Sequence, residues 1–263
     1  MNLKDYNKQS QLFCDKDNTK IDYTKHRLEM LRPREYFCIR EKYPIFYLPL
    51  GTIEWHERHL PLGTDGIKAH ELCCKIAHRI GGIVSPPLYW GLDTIRVSPS
   101  GTIRPGMDAV ADFQLPGSIF RINERVFEDL LTDAVKEIFK ENFKLVIICT
   151  GHSSQLQEHF IRKVANKFTQ GDRIRLLAFS EYEAAKDDLS WAGDHAGQWE
   201  TSLMMSLRMD LVDINELPPS NIPLVGISGI DPRIDASIAL GDECVDIVIE
   251  NVCNKIRDIL RKL

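Results

Sequence analysis

The sequence of 263 residues lacks the patterns that mark several large classes of protein. No run of about 18 apolar residues occurs, and the N-terminal segment MNLKDYNKQSQLFCDKDNTK has no apolar stretch of the kind found in secretory signals. Basic residues are not in excess, since the net charge is -5 and the isoelectric point about 5.9, which argues against nucleic acid and membranes as partners. These absences predict a cytoplasmic protein with a small-molecule substrate.

Two further patterns are missing. The seven cysteines include no C-x-x-C pair, and an odd number without that spacing predicts buried thiols rather than a disulfide framework or a zinc knuckle. A G-x-S-x-G motif is also absent, which argues against a serine hydrolase although Ser153 and Ser154 follow His152 directly.

The length and composition are those of one globular domain. Hydrophobic residues make up 43% of the chain and charged residues 27%, enough apolar surface for one large core. Residues 26–263 are expected to form this single domain. The polar segment 1–25 is expected to lie on the surface or against a neighbouring subunit.

Strand-like and helix-like patterns alternate along the chain. The runs IFYLPL, ending at Leu50, and LVIICT, ending at Thr150, are nearly continuous apolar segments, as expected for strands covered on both faces. Apolar residues at three- and four-residue steps over 123–141 indicate an amphipathic helix, and a last amphipathic helix is expected from Cys244 to Leu260. Residues 83–90 predict a further strand and 91–116 a loop that lines a site. The alternation predicts an α/β fold, a three-layer α/β/α sandwich with a mostly parallel sheet.

The stretch LPLGTIEWHERHLPLGTDG, residues 48–66, carries the most specific chemistry. Glu54 and His56 are two residues apart, so in an extended segment both side chains point to the same side and can enter one pocket. Asp65 precedes a helical pattern and is expected at a helix start beside the strand end, where its carboxylate can bridge two cations. Carboxylates and imidazoles together suit Zn or Mn.

Each of these residues also has an ordinary structural alternative. Asp65 could cap the helix that follows it. Glu54 and His59 could lie on a solvated loop, and His56 could be a hydrogen-bonded core histidine. It is the whole set, rather than any one residue, that favours a metal site.

Polar residues follow three predicted strands, which end at Leu50, Thr150 and Phe179. Because the carboxyl ends of parallel strands share one edge of a sheet, five side chains are expected to converge there. They are Glu54, His56, Asp65, His152 and Glu200. Three carboxylates and two imidazoles are enough to hold two divalent cations with Asp65 between them.

The stretch 48–66 resembles the signature of the creatininase family, metal-dependent amidohydrolases in which a glycine leads into Glu-x-His-x-x-His-Leu-Pro and then Thr-Asp. Two further family motifs occur downstream in the expected order, Gly151-His152 and then His195-Ala196-Gly197 with Glu200-Thr201-Ser202. Three motifs in the same order are far more specific than one.

The resemblance implies a creatininase-like fold and two divalent metal ions, Zn or Mn or both. It implies metal ligands at Glu54, His56, Asp65 and His152. Creatininase itself has Tyr and a metal-binding Glu after the histidine of its second motif, where this chain has Ser153 and Ser154. We therefore expect Glu200 to supply the missing carboxylate.

The resemblance also indicates which groups act in catalysis. His195 is expected to protonate the leaving group, because imidazole is the side chain that changes charge near neutral pH. The family places an acid directly before this histidine and a tryptophan upstream, and Asp194 and Trp191 stand there. Trp191 could stack on substrate or simply pack in the core. His59 is expected to orient the site or its loop.

The activity implied by the resemblance is hydrolysis of a C–N amide bond in a small substrate, cyclic or open-chain, by attack of a metal-bound hydroxide. Known members open the creatinine ring, remove formyl groups from pyrimidine intermediates, trim a peptide or hydrolyse an oxidised inositol ring. They commonly assemble as hexamers, so a homo-oligomer is expected.

The departures at Ser153, Ser154 and Asp194 argue against creatinine itself as the substrate. A ring-opening hydrolase of a keto-cyclitol or keto-sugar is the alternative enzyme. The alternative outside enzymes is a binding protein with the same fold and no catalysis.

Overall fold

The computed structural model describes residues 21, 22, 24–169 and 175–263. Its strands are β1 (Ile45–Leu50), β2 (Ile83–Val84), β3 (Ile95–Val97), β4 (Ile103–Pro105), β5 (Leu145–Thr150) and β6 (Leu176–Ser180). Its helices are α1 (Pro33–Lys42), α2 (Thr64–Ile80), α3 (Gly106–Ala111), α4 (Glu124–Lys140), α5 (Gln155–Lys167), α6 (Glu181–Ala185), α7 (Gln198–Arg208), α8 (Pro232–Asp235) and α9 (Ile238–Leu260). Short 3₁₀ turns lie at Leu28–Met30, Met209–Leu211 and Ile214–Glu216.

The main sheet has the strand order β2-β1-β5-β6, and each neighbouring pair is parallel. β1 and β5 pair along their whole length, from Ile45 opposite Leu145 to Leu50 opposite Thr150. Every residue of both strands is buried, because helices cover both faces of the sheet. β3 and β4 form a separate antiparallel hairpin.

Alternate side chains of β1 serve two different layers of helices. Ile45 and Tyr47 pack into a core that contains buried residues of α2, α7 and α9, whereas Leu48 and Leu50 pack into a core with α4 and α5. Successive residues of a strand point to opposite faces, so one apolar run can supply both cores. The predicted three-layer α/β/α sandwich with a mostly parallel sheet is confirmed.

The structure differs from the predicted elements in three places. The strand expected over 83–90 is limited to β2, since the Pro86-Pro87 pair cannot donate backbone hydrogen bonds to a ladder. The loop expected over 91–116 contains β3, β4 and the short helix α3. The last helix begins at Ile238, six residues before the expected Cys244, because Ser237 accepts a hydrogen bond from the N–H of Leu240 and caps it.

The predicted N-terminal surface or interface segment, 1–25, falls largely on residues 1–20 and 23, which lie outside the described residues. Cys14 is among them. Cys38 is disulfide-bonded, which corrects the expectation of a thiol there. The remaining cysteines are the expected free thiols: Cys73, Cys74, Cys149, Cys244 and Cys253. Among the described residues, no helix combines the length and the apolar character needed to cross a bilayer.

Two glycines at the carboxyl ends of β1 and β5 fix the position of helix α2. A Cβ atom at Gly51 would collide with the backbone of Gly66, and a Cβ atom at Gly151 would collide with the backbone of Asp65. Because neither glycine has a side chain, the first turn of α2 packs directly against both strand ends. This close approach places Asp65 at the edge of the sheet.

Candidate metal centre and active site

The carboxylate of Asp65 lies between two buried histidines. Its Oδ1 is 3.3 Å from Nε2 of His56, and its Oδ2 is 3.3 Å from Nδ1 of His152. The cap position of α2 is occupied by Gly63, which makes no side-chain hydrogen bond. Asp65 therefore points at the two imidazoles and does not cap its helix.

Two groups of side chains with metal-ligand spacing share Asp65. One is Glu54, Asp65 and His152, and the other is His56, Asp65 and Glu200, and within each group the ligand atoms lie within 4.8 Å of one another. All five side chains are buried. The structure thus brings together the five residues that the sequence singled out as ligands.

Several of these atoms are buried without a hydrogen-bond partner. They are Glu54 Oε1, His56 Nε2 and Asp65 Oδ2. Buried polar atoms without a partner are costly, and a pair of cations, one for each group of ligands, would satisfy all three. Because carboxylate oxygens and imidazole nitrogens are ligands of Zn and Mn, this donor set fits a pair of such ions.

His152 is held from behind by a second carboxylate. Its Nε2 donates to the carbonyl of Leu92 at 3.2 Å and also lies 3.1 Å from Oδ1 of Asp93. Arg121 binds Asp93 at 2.6 Å and Asp108 at 2.9 Å. Burial raises the pKa of Asp93, but its interactions with His152 and Arg121 outweigh burial and lower the pKa to about 2. Asp93 is therefore an anion, and together with the Leu92 carbonyl it orients the imidazole so that Nδ1 faces Glu54 and Asp65.

Glu200 is held by a buried lysine. Nζ of Lys68 donates to Glu200 Oε1, to Glu181 Oε1 at 2.8 Å and to the carbonyl of Gly151 at 3.1 Å. Burial lowers the pKa of Lys68, but the charges of Glu181 and Glu200 raise it well above its ordinary value, so Lys68 is a cation. The N–H of Ala196 donates to Glu200 Oε2 at 2.6 Å from a left-handed backbone conformation with φ of 52°.

The two histidines of the centre carry protons when no cation is bound. Burial lowers the pKa of His56, but Glu200 and Asp65 outweigh it and raise that pKa well above the ordinary value. Burial likewise lowers the pKa of His152, and Glu54 with its neighbours raises it. A ligand histidine must be neutral, so binding of a cation releases these protons.

His195 and Asp194 border the centre but make different contacts. Nε2 of His195 lies 2.7 Å from the carbonyl oxygen of Trp55, and the ring stacks on His56 with 4.3 Å between centroids. His195 also lies within metal-ligand spacing of Glu54 and His56.

Asp194 accepts hydrogen bonds from the backbone N–H groups of Trp199 at 2.7 Å and Glu200 at 3.1 Å, so it caps α7. Burial, and then the charge of Glu200, raise the pKa of Asp194 to about 7.

His59 and Trp191 lie behind the site. Nε2 of His59 is 2.8 Å from the hydroxyl of Thr201, next to Glu200, and burial lowers the pKa of His59 to about 4, so it is neutral. Trp191 packs edge-on against Trp199 with 5.5 Å between ring centroids. Among the described residues, Trp199 lines the larger of the two cavities beside the centre, and Trp191 lines neither.

Four charged residues that support the ligands were not among the residues expected from the sequence: Lys68, Asp93, Arg121 and Glu181. Lys68 had a detectable signal, since it follows Asp65 by three residues on a predicted helix and shares its face. Asp93 and Arg121 lie in irregular segments, where spacing carries no information on which side chains meet.

Two adjoining cavities open onto the centre, with volumes of about 440 Å³ and 170 Å³. Both are lined by Glu54, His152, Ser153, Asp194, His195 and Ser228. The larger one extends to Glu158 and Tyr182, and the smaller one to Thr94, Arg96 and Met107. A further cavity of about 660 Å³, lined by Arg27, Lys75 and Ile249 among others, includes none of the candidate ligands.

Comparison with known proteins agrees with this site. The family model for creatininase, described as creatinine amidohydrolase, matches residues 32–254. The creatinine amidohydrolase of Pseudomonas putida is 22% identical over 245 residues, which cover 81% of this chain and 89% of that protein. A mutant creatininase of the Zn-Zn type is 19% identical with a TM-score of 0.66, and a structure named Creatininase Mn is 21% identical with a TM-score of 0.65. Each of these two alignments covers 89% of this chain and 98% of the other.

The match to the family model spans most of the chain, including all the candidate ligands. The chain belongs to the creatininase family. The resemblance noted in the sequence is thereby confirmed, and the protein is a hydrolase of that family. The solved members share its fold at identities near 20%.

Proposed function

We propose that the protein is a metal-dependent amidohydrolase that binds two divalent cations, Zn or Mn, and cleaves a C–N amide bond in a small cyclic or open-chain substrate. The observation that carries the proposal is Asp65, whose two oxygens each lie 3.3 Å from a different buried histidine. A carboxylate placed in this way suits a bridging ligand. The Zn-Zn and Mn forms among the solved relatives support the choice of metals.

The ligand groups divide between two cation positions that share Asp65. Glu54 and His152 would hold one cation with it, and His56 and Glu200 the other. Such a pair of cations, when bound, polarises the carbonyl of the substrate and lowers the pKa of a water so that hydroxide forms at neutral pH. The near-complete burial of the ligands excludes bulk water and strengthens these electrostatic effects.

The chain itself supplies the proton transfer. His195 donates from Nε2 to the carbonyl of Trp55, which fixes the ring and leaves Nδ1 facing the cavity, 3.9 Å from Oε1 of Glu54. Nδ1 can take up the proton that the attacking water gives up and pass it to the departing nitrogen, which then leaves as a neutral amine. Asp194 does not touch this proton and instead holds the start of α7, and with it Glu200.

The test is an assay of protein loaded with Zn or Mn on creatinine, formamides, small lactams and inosose-type ketones. We expect hydrolysis of an amide that stops on chelation and returns with the metal. Turnover of the ketones alone would instead favour the ring-opening hydrolase of a keto-cyclitol or keto-sugar. Less than one divalent cation per chain after metal supplementation would favour the binding protein without catalysis.

Two variants assign the roles of individual residues. Glu200→Gln should lower the metal content and the activity, and a variant with both intact would remove Glu200 from the ligands. His195→Asn should retain both cations and lose turnover, because it removes the proton donor and no ligand. Loss of a cation in His195→Asn would make His195 a ligand, as its spacing to Glu54 and His56 allows.

We also propose that the protein is a homo-oligomer. Ile95, Val97 and Ile103 of the β3–β4 hairpin are 58%, 71% and 70% exposed, and an apolar patch of this kind is common at subunit contacts. Light scattering of the purified full chain tests this, and a monomer at micromolar concentration would contradict it. The cytoplasmic location stays a prediction from the sequence.

A further inference from the structure

The β3–β4 hairpin contributes one charged residue to the smaller cavity. Ile95, Arg96 and Val97 of β3 are all exposed, and Arg96 also lines this cavity together with Glu54 and His152. Successive residues of a strand point to opposite sides, so Arg96 lies on the side of the hairpin opposite to Ile95 and Val97. Arg96 is therefore a cation that is open to solvent and to a molecule in the cavity.

Arg96 has no partner for its charge within the described part of the chain. The acid next to it in sequence, Asp93, is already bound by Arg121 and His152. Lys68 is the other Lys or Arg that lines either cavity, within the described ranges, and its Nζ is occupied by Glu181 and Glu200. Arg96 is thus the cation that remains available to a molecule in the smaller cavity.

A second arginine stands directly across the ladder from Arg96. Arg96 pairs with Arg104 in the antiparallel register, so the two side chains share one face of the hairpin. Like charges in directly opposite positions destabilise a sheet. Arg104 Nε is buried without a hydrogen bond, and its nearest acid, Asp112, lies 3.9 Å away and already accepts from Ser100. An anion at this face would relieve the repulsion.

We propose that Arg96 binds an oxyanionic group of the substrate, so that the substrate is a small amide whose far end carries a carboxylate or a phosphate. The guanidinium offers parallel donors that match either group. The segment that carries Arg96 is held beside the centre, because the hydroxyl of Thr94 lies at hydrogen-bond distance, 3.1 Å, from the hydroxyl of Ser154. The scissile carbonyl would lie at Glu54 and His152, and the anion at the hairpin. This inference rests on the proposed hydrolase function.

The test measures binding of matched hydroxamates to the zinc-loaded full chain by calorimetry. A hydroxamate chelates zinc, so acetohydroxamate reports on the metal centre alone. Succinate monohydroxamate adds a carboxylate at the far end, and phosphonoacetohydroxamate adds a phosphonate. Each is titrated into the native protein, into Arg96→Gln and into Arg125→Gln, which removes the same charge from a side chain that is 91% exposed on α4.

We expect at least one acidic compound to bind the native protein about tenfold more tightly than acetohydroxamate, as a hydrogen bond to a charged group allows. Arg96→Gln should abolish this advantage and change acetohydroxamate affinity less than about twofold, while Arg125→Gln keeps the advantage. The compound that gains affinity identifies the group as carboxylate or phosphate.

Two outcomes would overturn the assignment of Arg96. One is that neither acidic compound binds more tightly than acetohydroxamate, and the other is that the advantage survives Arg96→Gln. Failure of acetohydroxamate to bind in a zinc-dependent manner would instead count against the metal centre, and hence against the hydrolase function itself. The two failures are therefore distinguishable.

Discussion

The two halves of the candidate metal centre share Asp65 but are supported by opposite charges. Behind His152 stands an anion, Asp93, which Arg121 holds in place. Behind Glu200 stands a cation, Lys68, buried and bound to Glu181 as well. One half is thus supported through an imidazole, and the other through a carboxylate.

The difference follows from the chemistry of the ligand in each half. An imidazole ligand presents one nitrogen to the metal and needs an acceptor for the other, which a carboxylate provides. A carboxylate ligand has a second oxygen that needs a donor, and a lysine provides one with a full charge. Lys68 also reduces the net negative charge around Asp65, which lies 3.7 Å from its Nζ.

Asp65→Asn should have the largest effect, because both halves use this residue. The amide keeps the shape but cannot bridge two cations as an anion does. We expect loss of both ions and of activity, measured by elemental analysis and by turnover. Asp129→Asn, a change of an exposed acid on α4, is the control, and an Asp65→Asn protein that retained both ions would refute the shared-ligand arrangement.

Lys68→Met should lower the free energy of unfolding, because Lys68 supports the half of the centre built around Glu200. Removing one partner of a buried ion pair leaves an uncompensated charge and typically costs about 3–5 kcal/mol. Both Glu181 and Glu200 would lose their donor, so we expect a free energy of unfolding lower by about that amount in metal-free protein. Chemical denaturation measures it. Lys75→Met, on the exposed side of the same helix, should change little, and equal losses in both variants would show that Lys68 has no special role.

The layers of the fold and the convergence of the ligands could be predicted because they depend on local patterns. Apolar runs that end at Leu50 and Thr150 give buried parallel strands, and the carboxyl ends of such strands share an edge. Asp65 reaches that edge because Gly51 and Gly151 let α2 approach, and glycines at strand ends are visible in the sequence.

Apart from Lys68, the supporting residues could not be predicted because they depend on tertiary contacts. The pair Asp93 and His152 is separated by 59 positions and joined by the path of an irregular loop, which no periodicity describes. The hairpin with Arg96 was expected to be a loop, since each of its strands has only three residues and a proline and glycines interrupt the segment. The pairing of Arg96 with Arg104 became apparent only from the register of the two strands.

His59 offers a pH-dependent way to separate the halves, since its Nε2 lies 2.8 Å from the hydroxyl of Thr201, the residue that follows Glu200. Its pKa is about 4 in the folded chain against 6.5 as the ordinary value, so the unfolded chain binds the proton first as pH falls. The free energy of unfolding is therefore highest above pH 6.5, where His59 is neutral in both states, and it falls between pH 6.5 and 4. This decrease amounts to about 3 kcal/mol.

Denaturation of metal-free protein across this pH range tests the prediction. His59→Gln should show a shallower decline than the native chain, because glutamine takes up no proton. His159→Gln, at an exposed position of α5, is the control and should follow the native chain. A native slope in His59→Gln would mean that other groups cause the decline.

Asp93→Asn should have the smallest effect and the most selective one, because it touches only the half built on His152. The amide is close in shape to the carboxylate but cannot hold the imidazole with a full charge, and loss of such support typically weakens metal affinity about 10- to 100-fold. Competition with a chelator should therefore show one cation bound more weakly and the other unchanged.

Asp108→Asn is the matched control, since it removes the other partner of Arg121 and leaves the 3.1 Å contact between Asp93 and His152. If both variants weakened the same cation equally, the effect would come from the packing of Arg121, and the two halves would not differ in the way their charges suggest.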